Sequence, residues 1–142
     1  MLKGIPKNLS PELVKILMEM GHGDEIVIAD GNFPAASCAQ RLIRADGMDV
    51  PPLLDSILEL FPLDTYVPQP VTLMEVVPGD PTPTIWDTYR QTIDKHGYSS
   101  GEQIANVDRF AFYERAKNAY AVIATSEGAL YANVILGKGV VK

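Results

Sequence analysis

The chain has 142 residues, 46% of them hydrophobic and 21% charged, which suits one packed domain, residues 1–142, and argues against disorder. The formal net charge is −6 and the basic residues are scattered, so nucleic acid is excluded as an expected partner. One cysteine, Cys38, rules out an internal disulfide; no run approaches the ~20 apolar residues of a membrane span and the first residues lack an apolar signal core, so a soluble, cytoplasmic protein with no membrane partner is expected.

Ser10-Pro11-Glu12 is a helix start: a capping hydroxyl, a proline suited to the first helical position and an acid at the positive helix end. Leu13, Ile16, Leu17 and Met20 follow at helical spacing, and Gly21 is the expected stop. Glu25 to Ala29 is a short apolar run, read as an interior parallel strand, with Asp30 at its carboxyl end. Gly31 to Pro34 is expected as a loop, the small residues Ala35, Ala36 and Ser37 after it allow close approach of a neighbour, and Arg41 to Ala45 is expected as a second strand. Pro51 to Leu60 predicts a helix whose buried side is formed by Leu53, Leu54, Ile57, Leu58 and Phe61.

After the Pro-rich connection Tyr66 to Pro70, Val71 to Val77 reads as a strand, and Pro83 to Lys95 as a helix with Ile85, Trp86, Tyr89 and Ile93 on one face. A polar loop runs through Gly101. Ile104 to Val107 predicts a short strand, Phe110 to Asn118 a helix, and Tyr120 to Thr125 and Tyr131 to Leu136 two final strands, expected as an antiparallel hairpin. The alternation of helix and strand predicts an α/β fold, a three-layer α/β/α domain with a mixed sheet.

His22 lies between two glycines just past a helix end. Its imidazole titrates near pH ~6.5 when unperturbed, so it is either a proton carrier or an exposed turn histidine. Asp30, at the sheet edge where α/β folds bind ligands, either accepts ligand hydroxyls or opens an Asx turn. Asp24 either orients His22 or simply opens the strand. Arg109 offers a fixed fork of donors or pairs with an acid such as Asp108. Tyr131 and Asn133, two apart, share one face if they lie on a strand, and that face either grips a polyol or is an edge-strand surface. The aromatic residues of Phe110 to Tyr113 read as core, and His96 as a surface helix cap.

A five-residue strand spans roughly 17 Å. His22 and Asp30 flank such a strand and so need not meet within one chain, which suggests a site completed across a subunit contact. No metal-ligand spacing, no phosphate-cradling loop after a strand and no nucleophile elbow appear, so no metal and no nucleotide cofactor are expected.

Several stretches taken in order carry a resemblance. They are Ser10-Pro11-Glu12-Leu13, Glu19 through Ile26, Asp30, Phe33-Pro34-Ala35, Ile43 through Gly47, Arg109 through Ala116, Tyr131-Ala132-Asn133 and Lys138-Gly139-Val140. This set, spanning nearly the whole chain, resembles the ribose pyranase / L-fucose mutarotase family, and most of all its L-fucose mutarotase branch. The resemblance implies His22 as proton donor, Asp30, Arg109, Tyr131, Ala132 and Asn133 as substrate-binding residues, and no metal or cofactor. It also implies homo-oligomeric rings of five, usually stacked as decamers, with sites between subunits. Asn32 and Ala36 stand where that branch usually has histidines, and the segment 78–101 departs from its pattern. The activity implied is interconversion of the α and β anomers of L-fucose or a related monosaccharide. The alternatives are a ribose pyranase or a non-catalytic monosaccharide-binding protein.

Overall fold

The computed structural model describes residues 1–142. Six strands form one mixed sheet: β1 (Glu25–Ala29), β2 (Leu42–Ala45), β3 (Val71–Met74), β4 (Ile104–Val107), β5 (Ala121–Thr125) and β6 (Val134–Gly137). Their order across the sheet is β2-β5-β1-β6-β3-β4. Six helices accompany them: α1 (Pro11–Glu19), α2 (Ala35–Cys38), α3 (Val50–Leu60), α4 (Ile85–Lys95), α5 (Ser100–Gln103) and α6 (Arg109–Asn118). The short helix α2 holds the small residues that follow the loop after Asp30, and α5 begins within the stretch expected as a polar loop.

Alternation along the strands sorts the core onto two faces. Ile26, Ile28, Ile123, Val134 and Leu136 face a cluster built with Leu13 of α1, Leu53 and Ile57 of α3, and Tyr89 and Ile93 of α4. Val27, Ala29, Val122, Ala124 and Ile135 face a second cluster with Cys38 of α2 and Phe112 and Ala116 of α6. The fold is the expected α/β/α arrangement. No helix is long and apolar enough to cross a membrane.

The final hairpin is corrected. β6 does not pair with β5; it inserts between β1 and β3 and runs antiparallel to both, while β1–β5, β2–β5 and β3–β4 are parallel. Residues 126–133 therefore carry the chain past β1, and Gly31 lets them approach closely. Its N–H donates to the Glu127 carbonyl at 2.8 Å, and a Cβ there would come within 3.1 Å of that oxygen.

Local chemistry explains the helix starts. Ser10 accepts a hydrogen bond from the Leu13 N–H, and Asp108 caps α6 by accepting one from Ala111. At the end of α1 the detail differs from expectation. Met20 turns extended, and the left-handed residue is Gly23 (φ 87°) rather than Gly21.

Because β6 is the one reversed strand, the carboxyl ends of β1, β3 and β4 lie at the same sheet edge as the amino end of β6. Asp30, residues 75–80, Arg109 and residues 131–133 all emerge there. The opposite edge gathers the turn before β1, residues 62–66 and the carboxyl end of β6.

Candidate active site

At the carboxyl edge the structure brings Asp30, Arg109, Tyr131 and Asn133 around one cavity of about 350 Å³, walled by Phe33, Met74 and Tyr113. That is the lower end of the range for small-ligand sites.

Asp30 is 6% exposed. Burial raises its pKa above the ordinary carboxylate value, against the pull of backbone N–H groups from Asn32, Ala132 and Phe33. One carboxylate oxygen does close an Asx turn, accepting from the Asn32 N–H at 3.0 Å. The turn and the pocket position coexist, so the two sequence readings are not exclusive.

Asn133 accepts the Asp30 backbone N–H at 2.7 Å through its amide oxygen, leaving its NH₂ group to the cavity. Arg44, Arg90 and Arg115 each pair with a carboxylate, whereas Arg109 pairs with none and lies over the Phe110 ring, 4.9 Å from its centroid. Phe110 is 69% exposed and Tyr113 faces the cavity, so only Phe112 of that aromatic run is core as expected.

Tyr131 departs most from the sequence reading. It precedes β6 rather than starting it, and its backbone is left-handed (φ 56°). Its side chain is held by its hydroxyl, which donates to Asp80 at 2.6 Å and accepts from the Val77 N–H at 3.3 Å. The bond to Asp80 raises the phenol's pKa. Its carbonyl accepts from the Trp86 indole at 2.8 Å, and the Ala132 carbonyl accepts from the buried Tyr89 hydroxyl at 2.6 Å. Thus α4, read from spacing as a core helix alone, also clamps two successive carbonyls of the 131–133 segment. Burial and the nearby acids Glu127 and Asp30 raise the Tyr89 pKa strongly, so its hydroxyl stays a donor.

His22 is not in this cavity. It stands at the opposite sheet edge, with its side chain 47% exposed. Its Nε2 lies 3.0 Å from Oδ1 of Asp64, and its ring meets Tyr66 at a centroid distance of 5.1 Å. The Asp24 carboxylate instead accepts from the Gly21 N–H at 2.8 Å, so it is not the imidazole's partner. Asp64 carried no local sequence signal, being 42 positions from His22.

His96 caps α4 as expected but is not a surface group: its side chain is 10% exposed and its Nε2 lies 2.8 Å from Asp55 of α3. Asp55, Glu59 and His96 have the proximity of a metal cluster. The Lys95 ammonium, however, already occupies the Asp55 carboxylate at 2.9 and 3.1 Å, and the group acts as a clip between α3 and α4. Hydrogen bonds from Lys95 and His96 hold the Asp55 pKa low.

An α/β sheet whose carboxyl edge gathers a buried carboxylate, an unpaired guanidinium, a phenol and an amide around a small cavity defines a binding protein for a small, hydroxyl-rich ligand. The chain belongs to the RbsD / FucU transport protein family, whose model matches residues 3–141. It is 52% identical over 147 residues to the fucose mutarotase of Homo sapiens, covering 98% of this chain and 94% of that one. It is 50% identical over 141 residues to the L-fucose mutarotase of Histophilus somni (strain 2336), covering 99% and 97%. The crystal structure of the fucose mutarotase from Streptococcus pneumoniae in complex with L-fucose superposes with a TM-score of 0.97 at 60% identity, covering 99% of this chain and 100% of that one.

Proposed function

We propose that this chain, acting as one domain, is an isomerase, an aldose mutarotase that interconverts the α and β anomers of L-fucose by opening and reclosing the sugar ring. What carries the reading is its likeness, at 60% identity and over nearly its full length, to a fucose mutarotase in complex with L-fucose. The ribose pyranase alternative has less support, because relatives at 50–52% identity are fucose mutarotases.

Mutarotation needs one proton placed on the ring oxygen and one removed from the anomeric hydroxyl. The hemiacetal opens to the aldehyde, and the reverse transfers close it on the other face. Proton transfers alone balance this reaction, so no metal or cofactor is invoked. Asp30 accepts sugar hydroxyls, Arg109 and the Asn133 amide donate to them, and Tyr131 completes the grip. Ala132, fully buried and outside the cavity lining, contributes through its backbone bonds to Asp30 and Tyr89 that set the segment. His22 carries the proton. General acid–base groups supply about 10²–10⁴-fold, sufficient for a reaction with a spontaneous route.

His22 and the cavity lie at opposite ends of β1, roughly 17 Å apart by strand rise, so the site is composed of two subunits. One subunit's His22 end would meet its neighbour's Asp30 edge. Such a contact joins two different surfaces, and repeated contacts of that type form rings where the rotation between subunits closes. This supports the pentameric rings, paired as decamers, that we include in the proposal. A cytoplasmic location belongs to the same reading, and the single cysteine suits it.

The test is saturation-difference proton NMR on the anomeric signals of L-fucose, with D-ribose as comparison and His22→Ala alongside. Magnetisation passing between α and β signals only with intact His22 is the expected result. Exchange with ribose alone would move the assignment to a pyranase. Binding of either sugar without exchange would leave a non-catalytic sugar-binding protein.

A further inference from the structure

We infer that Asp64 is the positioning residue for His22: it fixes the proton on Nε2 and so makes Nδ1 the nitrogen that exchanges a proton with the sugar. The inference rests on the mutarotase reading and deepens it.

Asp64 is 5% exposed, yet its Oδ1 accepts two hydrogen bonds, from His22 Nε2 at 3.0 Å and from the Tyr66 N–H at 2.9 Å. An ionised carboxylate can only accept. The neutral imidazole beside it must therefore carry its hydrogen on Nε2 and present a bare lone pair at Nδ1. The Asp64 carboxyl remains ionised at neutral pH. Burial pushes its pKa up, but the N–H of Tyr66 and the bond and charge of His22 outweigh burial and bring it below the ordinary value.

The single hydrogen bond of the His22 ring is through Nε2, and the ring is half exposed on its other side. A bare Nδ1 accepts the anomeric hydroxyl's proton as base. Once it holds that proton, the imidazolium, still tied to Asp64, returns one as acid. Bonds balance at each step: O–H breaks as N–H forms, and the reverse.

The pair is not an incidental meeting of two flexible side chains, because both backbones are fastened to the same three residues. The Gly23 N–H donates to the Lys138 carbonyl at 2.9 Å, and the Lys138 N–H returns a bond to Asp24 at 2.8 Å. On the other side the Asp64 N–H donates to the Gly137 carbonyl at 3.0 Å, and the Gly139 N–H to Pro62 at 2.7 Å. A Cβ at Gly139 would collide with the Leu63 carbonyl, so the 62–64 segment lies as near as a glycine permits. The end of β6 thus sets the His–Asp separation through the backbone.

The other charged groups nearby do not compete for the imidazole. Asp24 is engaged by the Gly21 N–H, Lys138 reaches the Gly139 carbonyl, and the Lys142 ammonium lies 5.5 Å from the Tyr66 ring centroid.

The test reads the His22 ring nitrogens directly in the full-length assembled protein by long-range proton–nitrogen NMR across a pH titration, without sugar. Anomer-exchange kinetics on L-fucose accompany it. The wild type is expected to show the Nε2–H tautomer. Asp64→Asn keeps the shape and the acceptor for Tyr66 but removes the charge. In that variant the His22 Nε2–H resonance should lose its downfield, charge-assisted position, the kcat–pH profile should change with it, and kcat at neutral pH should fall about tenfold with KM held.

A wild-type Nδ1–H tautomer overturns the inference, and that measurement stands whether or not the variant folds. So does an Asp64→Asn protein whose His22 Nε2–H resonance and kcat–pH profile are unmoved, as a purely structural role for Asp64 would give. Failure of the wild type to exchange either sugar overturns the mutarotase reading, and is distinguishable because the tautomer and the Nε2–H resonance are measured without sugar.

Discussion

The two ends of β1 solve different problems. At the carboxyl end, Asp30 is buried in a walled cavity whose polar groups are preset by α4, Asp80 and the Asx turn. At the amino end, His22 projects from a glycine-flanked turn, half exposed and tethered by one carboxylate. One end can hold a sugar and the other can move a proton. The strand between them keeps the two groups apart in a single chain, so the proposed proton chemistry calls for a second subunit.

Mixing subunits is the strongest way to break this comparison. His22→Gln alone should lose the ~10²–10⁴-fold acceleration that acid–base groups supply, and Asp30→Ala alone should lose activity through sugar binding. Co-assembled in equal amounts, the two inactive proteins should recover about a quarter of wild-type anomer exchange, because random head-to-tail contacts pair two intact halves at that frequency. No recovery in properly assembled mixtures would mean that one chain holds the whole site.

The next effect sharpens the binding end. Tyr89→Phe strips a buried donor from the Ala132 carbonyl, and an orphaned buried group costs about 1–3 kcal/mol. Calorimetry should record a Tm lower by several degrees. Sugar KM should rise because the 131–133 segment loosens, while the NMR signals of the distant His22 stay in place.

The smallest effect is a difference of sign with pH. Asp30 has a folded-state pKa raised above its unfolded value, so the native state is penalised once pH climbs past ~3.9. Asp30→Asn should therefore be more stable than wild type at pH 7, with the gain vanishing as pH falls to about 4. Asp64 is depressed instead. Its contribution is present above ~3.9 and lost as pH falls through its lower folded pKa. Asp64→Asn should be less stable at pH 7, with the deficit closing in acid. Melting curves for both variants from pH 3 to pH 7 test the pair; shifts of the same sign would break the contrast between the two ends.

Much of the fold was legible in local sequence. Ser10-Pro11 announced α1 because capping is a matter of adjacent residues. The run Glu25 to Ala29 announced a buried strand because five consecutive residues are enough to show it. The hairpin error has the opposite origin: β6 looks like any last strand, and only competition among distant partners places it between β1 and β3. Trp86 and Tyr89 showed helical spacing and were buried as expected. Spacing describes where an aromatic body goes, though, and is silent on where its polar tip points.

By itself, then, the sequence determined the helix starts, the strand that separates His22 from Asp30, and the titratable and hydrogen-bonding groups available for chemistry. These follow from residues within a few positions of one another. Tertiary structure alone decided that β6 runs reversed through the sheet, so that Asp30, Arg109, Tyr131 and Asn133 share one edge and Asp64 meets His22 at the other. Those meetings join residues tens of positions apart, and they are fixed by strand pairing and by backbone hydrogen bonds that no local pattern records.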